Sequence, residues 1–240
     1  MKNELHGSLD KIHADDDLKE RTAHYLSMEI NKRNASRKHP RFRLAFVCTA
    51  FLIFTVLGGL AYYLNFTSIA YVDVDVNPSI GLTLNRFNRV IKTQAYNDAG
   101  TTILSDANIR FKTYNEATQI LLDKIISNGY LFNDGLVSVT VQVNSDKKEA
   151  DMLGLLNQVV NSSLLENHVA VQTDVFPVSS DVRIRAHEHH VTPAKYLAVS
   201  ELQTVDPTVT LEGCAGSSIG EIKERTRVHN GHHGGKNDHH

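Results

Sequence analysis

Asp75, Asn77, Pro78 and Ser79 form the arrangement in this chain whose residue types and spacing could best do chemistry. An asparagine usually deamidates when the backbone nitrogen of the next residue attacks its side-chain carbonyl. Pro78 carries no N–H, so that route is closed. What remains is attack by the Asn77 side-chain amide nitrogen on its own backbone carbonyl. That forms a succinimide, breaks the chain and leaves proline as a new N-terminus. The reaction is slow in a relaxed peptide, and a fold that strains the bond and aligns the nucleophile accelerates it. Asp75 lies two residues earlier on the same strand face, where it could orient the amide or relay a proton. Ser79 is a candidate donor to the developing oxyanion. An Asn-Pro pair is also common turn chemistry with no reaction attached, and both readings stand at this level.

Other groups offer less. His187, His189, His190 and the histidine-rich end (HNGHHGGKNDHH, residues 229–240) could chelate zinc or nickel. No spaced set of cysteine, histidine and carboxylate accompanies them, so a solvated tail is the simpler reading and no metal or cofactor is expected. Asp73, Asp75 and Asp98 could pair as acid and base, or could simply be the wet side of a strand. The chain has no glycine-rich phosphate loop, no Gly-x-Ser-x-Gly and no His-Glu-x-x-His. No turnover enzyme is expected, only a single intramolecular break at Asn77-Pro78.

The elements that must position these residues are legible from periodicity. Residues 71–84 (YVDVDVNPSIGLTL) alternate, with Val72, Val74 and Val76 on one face and Tyr71, Asp73, Asp75 and Asn77 on the other. After Pro78 the alternation resumes through Ile80, Leu82 and Leu84. Proline has no place in a central strand, so a bulge or an edge is expected there unless the bond itself has a use. A third strand follows at 90–96, with turn chemistry at Asn85–Asn88 and at Asn97–Gly100. Thr113 and Glu116 make a capping box for a helix that Gly129 can end. Residues 136–144 alternate again, Ser145 can cap a second helix, and residues 169–175 supply another strand. Thr192-Pro193 reads as a helix start, and residues 217–228 could form a last helix. The expectation is an α+β fold: an antiparallel sheet covered by two helices, with a helical C-terminal extension.

Before that domain, Leu44 to Phe66 contains no charged residue, and its core of about 21 residues would span about 31 Å. Lys32, Arg33, Arg37, Lys38, Arg41 and Arg43 crowd its N-terminal flank, whereas Asp73 and Asp75 follow it. The positive-inside rule then places the N-terminus in the cytoplasm and the C-terminus outside. The polar lead is too long for a cleaved signal peptide. Residues 1–43 carry apolar positions at Leu18, Tyr25, Leu26 and Ile30, with a shorter stripe at Leu5, Leu9 and Ile12. They read either as a partly disordered tail or as a helix that docks into a cytoplasmic protein. The organisation expected is therefore a cytoplasmic segment 1–43, a membrane helix 44–64, an extracytoplasmic domain 66–205 and an extension 206–240. A net charge of −2 over 240 residues argues against direct nucleic-acid binding. Cys48 lies inside the apolar run, so it and Cys214, the only two cysteines, form no disulfide framework.

The segments AYVDVDVNPSI (70–80), LNRFNRV (84–90) and YNDAG (96–100), with Asn128-Gly-Tyr130 and Thr192-Pro-Ala-Lys-Tyr196 further on, resemble the ectodomain of RsgI-type transmembrane anti-sigma factors. The resemblance covers roughly residues 44–205. It implies a SEA-like domain that cleaves itself between Asn77 and Pro78, with the two pieces held together by a shared sheet. It also implies a sigma factor as the cytoplasmic partner, released after intramembrane and other membrane proteases act. Residues 1–43 depart from the strand-rich sigma-binding domain with which such proteins open, which implies a reduced sigma-binding segment or a different partner. The alternative from another class is a non-cleaving, membrane-anchored sensor or binding protein for an envelope component.

Overall fold

The computed structural model describes residues 15–35, 40–131 and 135–233, so the stripe at Leu5, Leu9 and Ile12 and the tail beyond residue 233 lie outside it. The chain divides into two units, Met1–Gly59 and Leu60–His240.

In the first unit, helix α1 runs Asp16–Ala35. Asp16 and Asp17 occupy its first turn and Lys32 and Arg33 its last, the polarity that complements the helix dipole. Leu18, Tyr25, Leu26, Met28 and Ile30 are all exposed on it. Helix α2 (Pro40–Phe66) opens on a proline, which costs nothing where the N–H has no helical partner. Within it, Ala45–Phe66 is 22 residues long with a mean hydropathy of 2.1, long and apolar enough to cross a membrane.

The second unit is built on strands β1 (Ala70–Asp75), β2 (Ser79–Leu84), β3 (Val90–Ala95), β4 (Leu136–Val143) and β5 (Gln172–Pro177), with sheet order β3-β2-β1-β4-β5. The antiparallel expectation holds for the β3-β2-β1-β4 pairs, while β5 joins β4 in parallel. The reason is connectivity: a long helix between β4 and β5 carries the chain back to the end where β4 began, as a parallel pair requires. One sheet face is apolar. Val72, Val74, Ile80, Leu82, Leu84, Val137, Val139 and Val141 are buried there against α4 (Tyr114–Ser127) and α5 (Asp146–Glu166), which contribute Leu121, Leu122, Ile125, Met152, Leu156 and Val160.

Local chemistry sets the helix ends. Thr113 and Glu116 close the expected capping box on α4, and Gly129, at φ 73°, ends it in the left-handed region that favours glycine. Ser145 holds the N-cap position of α5 without a side-chain capping bond. Residues 97–100 are not a simple turn as the sequence suggested. Asn97 caps helix α3 (Asp98–Asp106) by accepting from Gly100 N.

The opposite face is where the structure departs most from the sequence. The carboxylates expected on a wet strand face are buried: Asp73 is 5% exposed and Asp75 1%. They are covered by α6 (Ser180–Glu188), α7 (Pro193–Val205) and α8 (Ile219–His233). Helices α7 and α8 share an apolar cluster of Ala194, Ala198, Val199, Leu202, Ile219 and Ile222, against which Leu136 and Phe176 pack. Helix α6 had no apolar stripe to announce it. Helix α8 continues to His233, so residues 229–233 of the histidine-rich end are helical.

Candidate functional site

Asn77 and Pro78 lie in a three-residue connection between two paired strands. Asp75 ends β1 opposite Ser79, which begins β2, and Val76 N donates to Pro78 O at 3.0 Å to close the loop. Pro78 therefore sits outside both ladders, where its missing N–H breaks no strand pairing. The irregularity expected at this proline is instead found further along β2, between Thr83 and Leu84. Asn77 adopts φ 85°. That is the left-handed region, which asparagine tolerates better than other non-glycine residues. It is also far from the extended conformation that a following proline ring imposes on its neighbour. Strain is thus concentrated on the residue whose carbonyl would be attacked.

A network of short polar side chains surrounds the loop. Asn97 Oδ1 accepts from two backbone donors, Gly100 N at 2.8 Å and Ser79 N at 3.2 Å. Its amide nitrogen then points to Asn77 Oδ1 and donates at 2.7 Å, with Ser79 Oγ at 3.5 Å. Ser79 Oγ donates to Asp75 Oδ1 at 3.1 Å, and the Thr192 hydroxyl donates to Asp75 Oδ2. Thr192 also caps α7, accepting from Lys195 N. Burial pushes the Asp75 carboxyl above its ordinary range; the Lys195 ammonium and the Thr192 and Ser79 hydroxyls offset only part of that.

All four residues singled out from sequence are brought to one place, with roles that differ from first appearance. Asp75 touches Ser79 and Thr192 rather than Asn77. Ser79 spends its hydroxyl proton on Asp75, so it faces the junction through its backbone N–H and as a distant acceptor for Asn97. Sequence reasoning missed Asn97 as a site residue. The available signal was an asparagine three positions before a glycine, a cap as readily as a turn. Thr192 and Lys195 were legible only as a helix start, because 117 residues separate Thr192 from Asp75.

Beside this network, Asp73 accepts from Tyr96 Oη at 3.2 Å, and the Arg183 guanidinium lies 3.8 Å from the Tyr71 ring centroid. Burial raises the Asp73 carboxyl to about 7, against the lowering effects of Tyr96 and Arg183. Gly81 makes this packing possible, since a Cβ there would lie 2.7 Å from Asp73 Oδ1. Among the described residues, no group of three or more histidine, cysteine or acidic side chains is placed to hold a metal ion.

A domain of this architecture, following an apolar helix and carrying a strained Asn-Pro hairpin, is the one for which comparison with known proteins finds a match. The family model of the anti-sigma factor RsgI-like central domain matches residues 69–201, and the chain belongs to that family. It is similar to anti-sigma-I factor RsgI7 of Acetivibrio thermocellus, 25% identical over 215 residues, covering 88% of this chain and 39% of that protein. Anti-sigma-I factor RsgI9 of the same organism is 27% identical over 194 residues, covering 76% and 27%. Anti-sigma-I factor RsgI of Bacillus anthracis is 26% identical over 153 residues, covering 61% and 34%. The chain thus spans less than half the length of these relatives.

Proposed function

We propose that this chain is a single-pass membrane anti-sigma factor whose outer domain cleaves itself between Asn77 and Pro78. Residues 1–43 face the cytoplasm and hold a sigma factor; residues 44–64 of α2 cross the membrane; residues 66–240 lie outside. The observation that carries the reading is the backbone of Asn77, at φ 85° immediately before a proline and with its side-chain amide fixed by Asn97. In the break, Asn77 Nδ2 bonds to the Asn77 carbonyl carbon, the bond to Pro78 N opens, and the proton lost by Nδ2 ends on the proline nitrogen. The products are an N-terminal piece ending in a succinimide and a C-terminal piece starting at Pro78. Asn77 lines an open cleft with Val76, Leu131 and Arg225, which gives water access to hydrolyse the succinimide. Separation of the pieces then exposes the membrane stub to proteases, intramembrane ones included, and frees the sigma factor. The cytoplasmic role is supported by family membership and by the exposed apolar side chains of α1.

Expression of the full chain in membranes, followed by a denaturing gel and intact mass, tests the break. Wild type should run as two pieces whose masses meet at Asn77/Pro78, and Asn77→Ala should run whole. A wild-type chain that stays whole would sink the reading. Residues 1–43 used as bait should retain a sigma factor, and recovery of none from the host proteome counts against that half.

A further inference from the structure

We infer that Asn97 is the positioning residue for the Asn77-Pro78 break, fixing which end of the Asn77 amide is free to attack. The inference rests on the proposed cleavage and goes beyond it by naming what aims the nucleophile.

The two ends of an asparagine amide differ as donor and acceptor, and their orientation is decided by the hydrogen bonds around them. At Asn97 those bonds leave no choice. Ser79 N and Gly100 N both donate to the same side-chain atom, at 3.2 and 2.8 Å, so that atom is the oxygen. The other end of Asn97 is therefore an N–H donor, and it lies 2.7 Å from the Asn77 side chain. Only an acceptor fits there, so Asn77 presents Oδ1 to Asn97 and keeps Nδ2 clear of it. Among the described residues Asn77 Nδ2 makes no hydrogen bond, which leaves the nitrogen as the uncommitted end of the amide. Donation to Oδ1 also favours the electron shift that accompanies proton loss from Nδ2, the step that makes an amide nitrogen a nucleophile.

The support for Asn97 is rigid. It is the N-cap of α3, and Gly100 lets that helix approach so closely that a Cβ there would fall 2.7 Å from Ser79 O. Two backbone N–H groups, one from β2 and one from α3, thus specify the Asn97 orientation, and Asn97 specifies that of Asn77. Asp75 enters indirectly, by holding the Ser79 hydroxyl at 3.1 Å so that it presents an acceptor rather than a donor toward Asn97.

The test is the cleavage rate of the full chain, synthesised without cells into lipid nanodiscs and sampled on a denaturing gel after translation is stopped. Asn97→Asp keeps an acceptor for Ser79 N and Gly100 N and remains a good helix cap, but turns an acceptor toward Asn77. The Asn77 amide must then rotate and commit Nδ2 to the new carboxylate. Cleavage should slow at least tenfold, in the range lost when a reacting group is misplaced. Asn97→Ser also caps α3 but cannot reach Asn77, and should slow cleavage comparably. Acidifying toward pH 4 restores a donor in Asn97→Asp alone, so its rate should rise relative to that of Asn97→Ser. The other charged groups around the loop, Asp75, Asp98 and Lys195, are the same in both variants, so the difference between the two rates reports on residue 97. Leu156→Ala, in the core on the other sheet face, controls for stability and should keep the wild-type rate within about threefold despite a lower melting temperature. If wild type cleaves and a folded Asn97→Asp or Asn97→Ser cleaves as fast, the inference is overturned while the cleavage reading survives. It is equally overturned if the Asn97 variants slow no more than Leu156→Ala. A wild-type chain that never breaks overturns the cleavage reading itself.

Discussion

Asp73 and Asp75 occupy alternate positions on one strand, and both side chains are buried beneath the second layer of helices. A buried carboxyl resists ionisation, and in Asp73 this outweighs the Tyr96 hydroxyl and the Arg183 guanidinium. Its carboxyl titrates at about 7 in the folded domain and near 3.8 as an ordinary aspartate. Between those values the folded state holds a proton that the unfolded state has lost, so stability falls as pH rises through that window and is level above it. About three pH units at roughly 1.4 kcal/mol each set an upper bound near 4 kcal/mol. Asp73→Asn keeps an acceptor for Tyr96 and removes the titration. Denaturant unfolding from pH 4 to pH 8 should show the wild type losing stability relative to Asp73→Asn up to about pH 7. Parallel curves would show that Asp73 is ionised throughout. Gly81→Ala should destabilise at any pH by about 1–3 kcal/mol, because its methyl group meets Asp73 Oδ1.

At the level of elements, the site depends on two helix starts that meet one hairpin: α3 delivers Asn97 and α7 delivers Thr192. Gly100→Ala separates propensity from packing. Alanine favours a helix by up to about 1 kcal/mol over glycine, yet its Cβ would sit 2.7 Å from Ser79 O, where neither backbone yields cheaply. Packing should win: a net loss of about 1–3 kcal/mol in thermal unfolding, with slower cleavage as Asn97 shifts from Asn77. A variant more stable than wild type would mean that α3 can retreat without cost. The same two starts show what was legible in the sequence. Alternation gave β1, β2 and β4, and the Thr113–Glu116 box gave α4, because those signals are local. Asn97 read as a turn because cap and turn share residue types, and only the following helix distinguishes them. Helix α6 (SDVRIRAHE) has no apolar periodicity, since it lies over a polar sheet face. That polar face itself was misleading. Alternating aspartates look solvated until a second helical layer, more than 100 residues away, covers them.

For the molecule as a whole, the position of the break determines what holds the pieces together. The proposed cleavage at Asn77-Pro78 would assign α1, α2 and β1 to one piece and everything from Pro78 on to the other. Strand β1 is not at an edge: it pairs with β2 on one side and β4 on the other over all six of its residues. Val72 and Val74 are fully buried on one of its faces, and Asp73 and Asp75 are held by Tyr96, Ser79 and Thr192 on the other. All those partners belong to the second piece. Such a break would cost no strand pairing, and the pieces would part only by drawing a central strand out of the core. Separation should be slow, governed by local unfolding rather than by a further chemical step. A tag on the N-terminal piece should then retain the C-terminal piece through washing and release it over the same denaturant range that unfolds the domain. Leu82→Ala, opposite Val72 in β2, removes a fully packed side chain at a cost of about 2–5 kcal/mol. It touches none of the polar groups around Asn77, so it should leave the break intact while speeding separation by about 30-fold or more. Timed wash-off of the C-terminal piece from immobilised membranes measures this directly. Equal wash-off from wild type and Leu82→Ala would mean that the strand does not hold the pieces together, and that some contact outside β1 does.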